Sequence, residues 1–382
     1  MKTPIYLDHA ATTPIRPEVA EVYMETMQMV PGNPSSVHSH GRAARKHVDN
    51  ARQQLARSIQ AEPGELIFTS GGTEADNLAV TGTAMSRQHL GKHIITTAVE
   101  HHAVLTTCEA LEKNGFDVTY LPVDRNGLVT VQQVAEALRE DTILVSIMYG
   151  NNEVGTIQPI GEIGRLVKDH QTLFHTDAVQ AYGVLPIDVS ALHVDLLSVS
   201  SHKVNGPKGV GFLYQRKGID LFPIMHGGSQ ERKRRAGTEN VPAIVAFATA
   251  VQLSAAEQLE NAVRYTSFQT IMREVFQQSG VEYEPTVEEG IPVLPHIFNV
   301  YFPGTDIESL LVNLDLDGVS VSSGSACTAG SLDPSHVMLA MFGEKAPRLR
   351  SSVRISFGYG LTEENVHQAA ERIAAIVKRT AK

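Results

Sequence analysis

The chain has 382 residues, 42% of them hydrophobic and 19% charged, with a formal net charge of −10. That composition describes a folded globular protein of about two domains, not a disordered or fibrous one. The acidic balance argues against a general nucleic-acid or membrane surface, and no window reaches the ~18 uninterrupted apolar residues that a bilayer span needs. Only Cys108 and Cys327 are present, which excludes a disulfide framework. The opening residues lack the apolar core of a secretory signal, so a reducing cytoplasm is the expected location.

Strand-like and helical patterns alternate through the first two-thirds. Leu66 to Thr69 reads as a strand ended by Ser70-Gly71-Gly72, and a helix opens at Thr73. His93 to Thr97 is a second strand, with a helical stretch from Ala103. Asp117 to Leu121 is extended, Val131 to Leu138 helical and Thr142 to Met148 a β-branched run. Glu162 to Lys168 is helical, followed by extended stretches at Leu173 to Thr176, Asp195 to Val199 and Val210 to Tyr214. Strands separated by helices of this length predict an α/β fold with a mostly parallel sheet. Ligands in such sheets gather at the carboxyl ends of the strands. Val241 to Gln278 is one long Ala-rich helical pattern suited to linking two domains. Beyond about Gly280, strands (Ile297 to Phe302, Val353 to Phe357) and helices (Ile307 to Leu314, Glu363 to Thr380) predict a smaller α+β domain.

The polar clusters at those strand ends carry the chemistry. Ser70-Gly71-Gly72-Thr73 leads into a helix N-terminus, an anion site through free N–H groups and the helix dipole; the alternative is a plain tight turn with Thr73 capping and Asp76 three residues on. Glu100-His101-His102 offers His101 as a group to stack on a flat cofactor, or an ordinary core histidine. Neighbouring side chains diverge, and no His/Cys/Asp set has zinc spacing, so no metal is expected. Asn152 adds an amide at the same rim. Asp177 follows an apolar strand, where a buried carboxylate needs a cationic partner such as a pyridinium nitrogen, or else caps a helix. Lys203, in Ser200-Ser201-His202-Lys203, is either a solvated loop lysine or an amine at a buried strand end, where lost hydration favours the neutral form that makes a Schiff base with a carbonyl. Glu231-Arg232-Lys233-Arg234-Arg235 is a clamp for phosphate or carboxylate, or a solvated loop. Cys327 stands among small residues with little to pack against, which suits a movable nucleophile. Cys108 reads as a structural cysteine on its helix. Arg354, inside a strand, wants a planar anion, either a substrate carboxylate or an internal carboxylate.

Taken together, these motifs resemble the cysteine desulfurases of the NifS/IscS type, class-V aminotransferase-like enzymes of pyridoxal phosphate (PLP) fold type I. The match runs from Tyr6-Leu7-Asp8-His9-Ala10-Ala11-Thr12-Thr13-Pro14 to the Arg354 strand. The resemblance implies a large domain with a seven-stranded sheet over 15–255. It implies a small domain from 1–14 and 256–382, carrying a mobile cysteine loop at about 322–346. It makes Lys203 the Schiff-base lysine, Asp177 the pyridinium partner and His101 the stacking histidine. Gln180 stands near the phenolic oxygen, and Gly72, Thr73, Ser200 and His202 form the phosphate cradle. Asn152 and Arg354 bind the substrate carboxylate, and Cys327 forms the persulfide. The 232–240 loop would cross to a partner subunit so that Thr238 touches its phosphate, making the enzyme a homodimer. L-cysteine is the implied substrate, L-alanine the product, and a sulfur-acceptor protein of iron–sulfur assembly or tRNA thiolation the partner. A lyase for selenocysteine or cysteine sulfinate, or an aminotransferase, would not need Cys327, and a non-catalytic sulfur-transfer scaffold would not need the intact set.

Overall fold

A computed structural model of the chain describes residues 3–323 and 334–381. Among these, the strands Leu66–Thr69, Gly211–Gln215, Leu196–Ser200, Leu173–Asp177, Thr142–Ser146, His93–Thr97 and Asp117–Leu121 lie side by side, in that order, in one seven-stranded sheet. Gly211–Gln215 runs antiparallel to both neighbours, and every other pairing is parallel. Alternate residues face opposite cores, as the period of a strand requires. Phe68, Ile95, Val145, Phe174 and Leu197 join one apolar cluster; Ile67, Ile94, Leu144, Leu173 and Leu196 join the other. Burial on both faces is why these strands read as continuous apolar runs.

A second core lies around the antiparallel strands Glu284–Pro285, Ile297–Tyr301 and Ser352–Ser356. The helices Ile307–Leu316 and Glu363–Thr380 cover it, contributing Leu310, Leu314, Val366, Ala370, Ile373 and Val377. Thr362 caps the second helix in a reciprocal box with Asn365. The helix Val241–Gln278, about 57 Å long at 1.5 Å per residue, belongs to both cores. Ile244, Phe247 and Val251 pack in the large one, and Phe268, Met272 and Phe276 in the small one.

Three features go beyond the sequence patterns. Pro17–Met29 and Ser39–Arg57 are helices. The second hides its inward stripe among polar residues, because the stripe is Ala44, Val48, Ala51 and Leu55 at i, i+4, i+7, i+11. The N-terminal arm enters the small core: Ile5–Tyr6 pairs in parallel with Val319–Ser320, and Asp8 bridges to Ser356.

Candidate active site

The carboxyl ends of Leu66–Thr69, His93–Thr97, Thr142–Ser146, Leu173–Asp177 and Leu196–Ser200 lie along one edge of the large sheet. Each is followed by one of the polar clusters. They converge on a cavity with about 710 Å³ of empty space, its solvent mouth included. Lys203, Asp177, His101 and Gln180 line it, and Gly72, Thr73, Ser200, His202 and Asn152 complete its polar wall.

At one end the helix Gly72–Arg87 points its N-terminus at the cavity. Its N-cap is Gly71, with φ 151°, and no side chain caps it. The capped turn with Thr73 and Asp76 is therefore not what forms. A Cβ on Gly72 would meet Val179 Cγ2 at 2.8 Å, so the close approach of backbone to the cavity depends on glycine there. Uncapped N–H groups beside Ser200 and His202 are the kind of arrangement that could hold a phosphate.

Asp177 lies deep, its Oδ1 accepting from Val179 N–H at 2.8 Å. Burial lifts its carboxyl to about 6, against the pull of that N–H and of Lys203. Two further buried acids crowd it. Burial raises Asp76 well above the carboxylate range, with Asp177 adding to the rise. Burial likewise raises Glu100 to about 8, although its Oε1 accepts from Thr97 Oγ1 at 2.7 Å and Met148 N–H at 3.0 Å. A cationic ring nitrogen placed here would relieve the two acids that line the cavity, Asp177 and Asp76.

His101 caps the helix His102–Glu112, its Nδ1 accepting from Ala103 N–H at 3.1 Å. That bond puts the proton of the neutral ring on Nε2. Burial first, and the Lys203 charge second, push its pKa to about 4, so the ring is uncharged at neutral pH.

Lys203 follows the strand Leu196–Ser200 on a single 3₁₀ turn, Ser201–Lys203. Its Nζ donates to the Ala10 carbonyl at 2.5 Å and the Ala11 carbonyl at 2.8 Å. The arm that supplies these carbonyls is held by Gln180 Nε2 on Ala10 O (2.9 Å), by Ser356 Oγ on Ala10 N–H (2.9 Å) and by Thr13 Oγ1 on His202 O (2.8 Å). Sequence reasoning missed Ala10, Ala11 and Asp76. Backbone carbonyls leave no residue signature, and Asp76 reads as an ordinary helix acid until the fold turns it inward.

Arg354 is 1% exposed in the strand Ser352–Ser356. Its Nη2 donates to Asp8 Oδ1 and its Nη1 to the Asn152 carbonyl, each at 2.8 Å, while Nε is buried without a partner. The internal ion pair is thus present, and the guanidinium is also tied to the cavity residue Asn152. The basic run is mostly spoken for: Arg235 pairs with Glu74 (2.7 Å), and Arg234 donates to Leu66 O (3.0 Å). Thr238 is exposed and lies off this cavity. Cys327 falls outside the described residues.

Residues 5–369 match the class-V aminotransferase family, and the chain belongs to that family of PLP-dependent enzymes. It is 60% identical over 381 residues to IscS 1 of Bacillus subtilis strain 168, covering 98% of this chain and 99% of that one. It is 46% identical to the cysteine desulfurase IscS of Dictyoglomus turgidum, covering 99% and 96%. A solved structure of SspA in complex with cysteine superposes with a TM-score of 0.81 at 38% identity, covering 92% of this chain and 98% of that one. Within the class-V aminotransferases, the chain belongs to the cysteine desulfurases.

The raised Asp177 carboxyl has a consequence for the cofactor-free protein. Its folded value lies above the ordinary one, so the folded state holds its proton longer, and stability falls as pH rises from about 4 through about 6. Asp177→Asn removes that penalty. The variant is expected to gain stability over wild type by roughly 1 kcal/mol more at pH 8 than at pH 5. Urea unfolding of both cofactor-free proteins at the two pH values measures this, and a difference independent of pH would refute it.

Proposed function

We propose that this chain takes the sulfur from L-cysteine, releases L-alanine and keeps the sulfur as a persulfide on Cys327. The observation that carries the reading is the meeting of Lys203, Asp177, His101 and the uncapped Gly72–Arg87 helix end in one cavity. The relative that binds cysteine supports the substrate.

The residues fit PLP, which when bound supplies an electron-accepting ring conjugated to the Cα of the amino acid. Asp177 would hold the ring nitrogen protonated, His101 lie against the ring and Gln180 stand near its phenolic oxygen. Gly72, Thr73, Ser200 and His202 would hold the phosphate, and in a homodimer Thr238 would complete the phosphate site of the other subunit. Asn152, on the cavity wall, and Arg354, which donates to the Asn152 carbonyl, bind the substrate carboxylate. Lys203 Nζ takes the Cα proton, and the Ala10 and Ala11 carbonyls accept hydrogen bonds from the ammonium so formed. The Cys327 thiolate attacks the substrate sulfur, the Cβ–S bond breaks, Cβ gains a proton, and Lys203 returns the proton to Cα to give alanine. Elimination supports the choice of cysteine. The chain has one other, Cys108, and burial, reinforced by Glu100, pushes that thiol up to about 12.

Residues 15–255 serve in this reading as the cofactor-binding domain, and 1–14 with 256–382 as the small domain that brings Cys327. The persulfide passes to an acceptor protein of iron–sulfur assembly or tRNA thiolation, in the cytoplasm; no described helix is long and apolar enough to cross a membrane. Incubating the holoenzyme with sulfur-labelled L-cysteine is expected to yield alanine and label on the Cys327 peptide in equal amounts. Turnover of selenocysteine or cysteine sulfinate with no label from cysteine would favour a lyase instead.

A further inference from the structure

The segment bearing Cys327 joins the described structure at two stems, and both are fastened to residues bordering the active site. On the entering side, Ser322 and Arg354 form an isolated antiparallel bridge. Ser322 N–H donates to the Arg354 carbonyl at 3.2 Å, and Arg354 N–H to the Ser322 carbonyl at 2.7 Å. On the leaving side, Ser335 caps the helix His336–Phe342, accepting from Met338 N–H at 3.1 Å and donating to Glu153 Oε2. His336 Nε2 lies 2.8 Å from the Glu100 carbonyl oxygen, and its ring packs on His102 with centroids 4.6 Å apart. Val337, Met338 and Met341 close an apolar cluster with Val99 and Val154.

The two polar contacts of the leaving stem each land one residue from a group placed in the site: Glu153 follows Asn152, and Glu100 precedes His101. Glu153 and Ser335 are 2% and 7% exposed, so their hydrogen bond is a polar link inside an otherwise apolar contact. Burying such a link costs desolvation, and its return is register: it accepts one docking geometry where apolar packing alone would accept several. Neither side chain has a part in the chemistry derived above.

We propose that the Glu153–Ser335 hydrogen bond, with His336 on the Glu100 carbonyl, is a positioning device that sets where Cys327 can stand relative to the substrate sulfur. This rests on the reading of Cys327 as the persulfide carrier. Cys327 is five positions after Ser322 and eight before Ser335. A chain spans at most roughly 3.3–3.6 Å per residue, so Cys327 is confined to within about 18 Å of the first stem and about 29 Å of the second. Displacing a stem moves the region both tethers allow, and an error of about 1 Å at a reacting atom is enough to cost on the order of 100-fold in rate.

The test separates substrate activation from sulfur transfer in the holoenzyme. Ser335→Asp keeps an acceptor for the helix cap but replaces the hydroxyl donor with a second carboxyl against buried Glu153, which the docked geometry does not accommodate; Glu153→Gln keeps an acceptor for Ser335. Two rates are read for each variant: exchange of the Cα proton of L-alanine with deuterated solvent, and alanine formation from L-cysteine. Ser335→Asp is expected to lower alanine formation at least about tenfold with exchange within about twofold of wild type, and Glu153→Gln to hold both within about threefold. A Ser335→Asp enzyme with unchanged alanine formation, or with both rates lowered together, overturns the proposal. The underlying reading fails differently, since a Cys327→Ala enzyme would then still form alanine at the wild-type rate.

Discussion

Replacing Lys203 with alanine is expected to remove the visible absorption of lysine-bound cofactor and to lower turnover of L-cysteine at least about 1000-fold, within the range that proton transfer by a positioned group supplies. The geometry makes the residue hard to replace. Its amine reaches the cavity from a 3₁₀ turn fixed at the end of a buried strand, and it meets two backbone carbonyls there. Among the described residues, no other lysine lines the cavity. Addition of a small exogenous amine is expected to restore part of the Cα proton exchange, because the lost function is a base at a place and the surrounding wall remains. Spectra of the purified variant and exchange measurements with and without the amine decide the matter. A variant that keeps both its absorption and its turnover would remove Lys203 from the mechanism.

Cys327→Ala should separate two halves of the reaction that Lys203→Ala abolishes together. Alanine formation from cysteine is expected to fall by roughly 1000-fold or more, as loss of a covalent nucleophile demands. Cα proton exchange of bound amino acid should stay within a few-fold, since Lys203, Asp177 and His101 are untouched. Cys108→Ala is the matched control. That thiol is buried on the helix His102–Glu112 and held in its protonated form, so its loss should change neither rate by more than packing effects allow. Alanine released by Cys327→Ala at the wild-type rate would point to a lyase that sets sulfur free without an enzyme-bound persulfide.

Much of this site was legible because the strand ends announce themselves. A buried parallel strand reads as an apolar run, and the polar or glycine-rich residues that stop it are the ones the fold gathers at one edge: Gly71-Gly72, His101, Asn152, Asp177 and Lys203. The roles of individual clusters stayed ambiguous until they were seen together. Arg354 is an instance: of its two expected partners, a substrate carboxylate or an internal carboxylate, the internal one is present as Asp8, and the guanidinium also meets the Asn152 carbonyl. Long-range pairing left no local trace. Ile5–Tyr6 is two residues long and pairs with Val319–Ser320, more than 300 positions away, so no periodicity could have revealed it. The Ser39–Arg57 helix escaped for another reason: a stripe built partly of alanine is too weakly apolar to stand out from its charged surroundings.

The N-terminal arm also dictates a timetable. Ala10 and Ala11 are held to the large domain by Gln180 and by Thr13 on His202, but their other fastenings come far later in the chain: Ser356, 346 positions on, holds Ala10 N–H, and Arg354 holds Asp8. During synthesis the large sheet can be complete while the arm that offers Lys203 its two carbonyls is fastened only by Gln180 and Thr13. Its remaining ties form after the strand Ser352–Ser356 has emerged and closed on the arm. A nascent chain arrested before that strand would hold Gly72, Thr73, Ser200 and His202 at the sheet edge with the arm beside Lys203 only partly fastened.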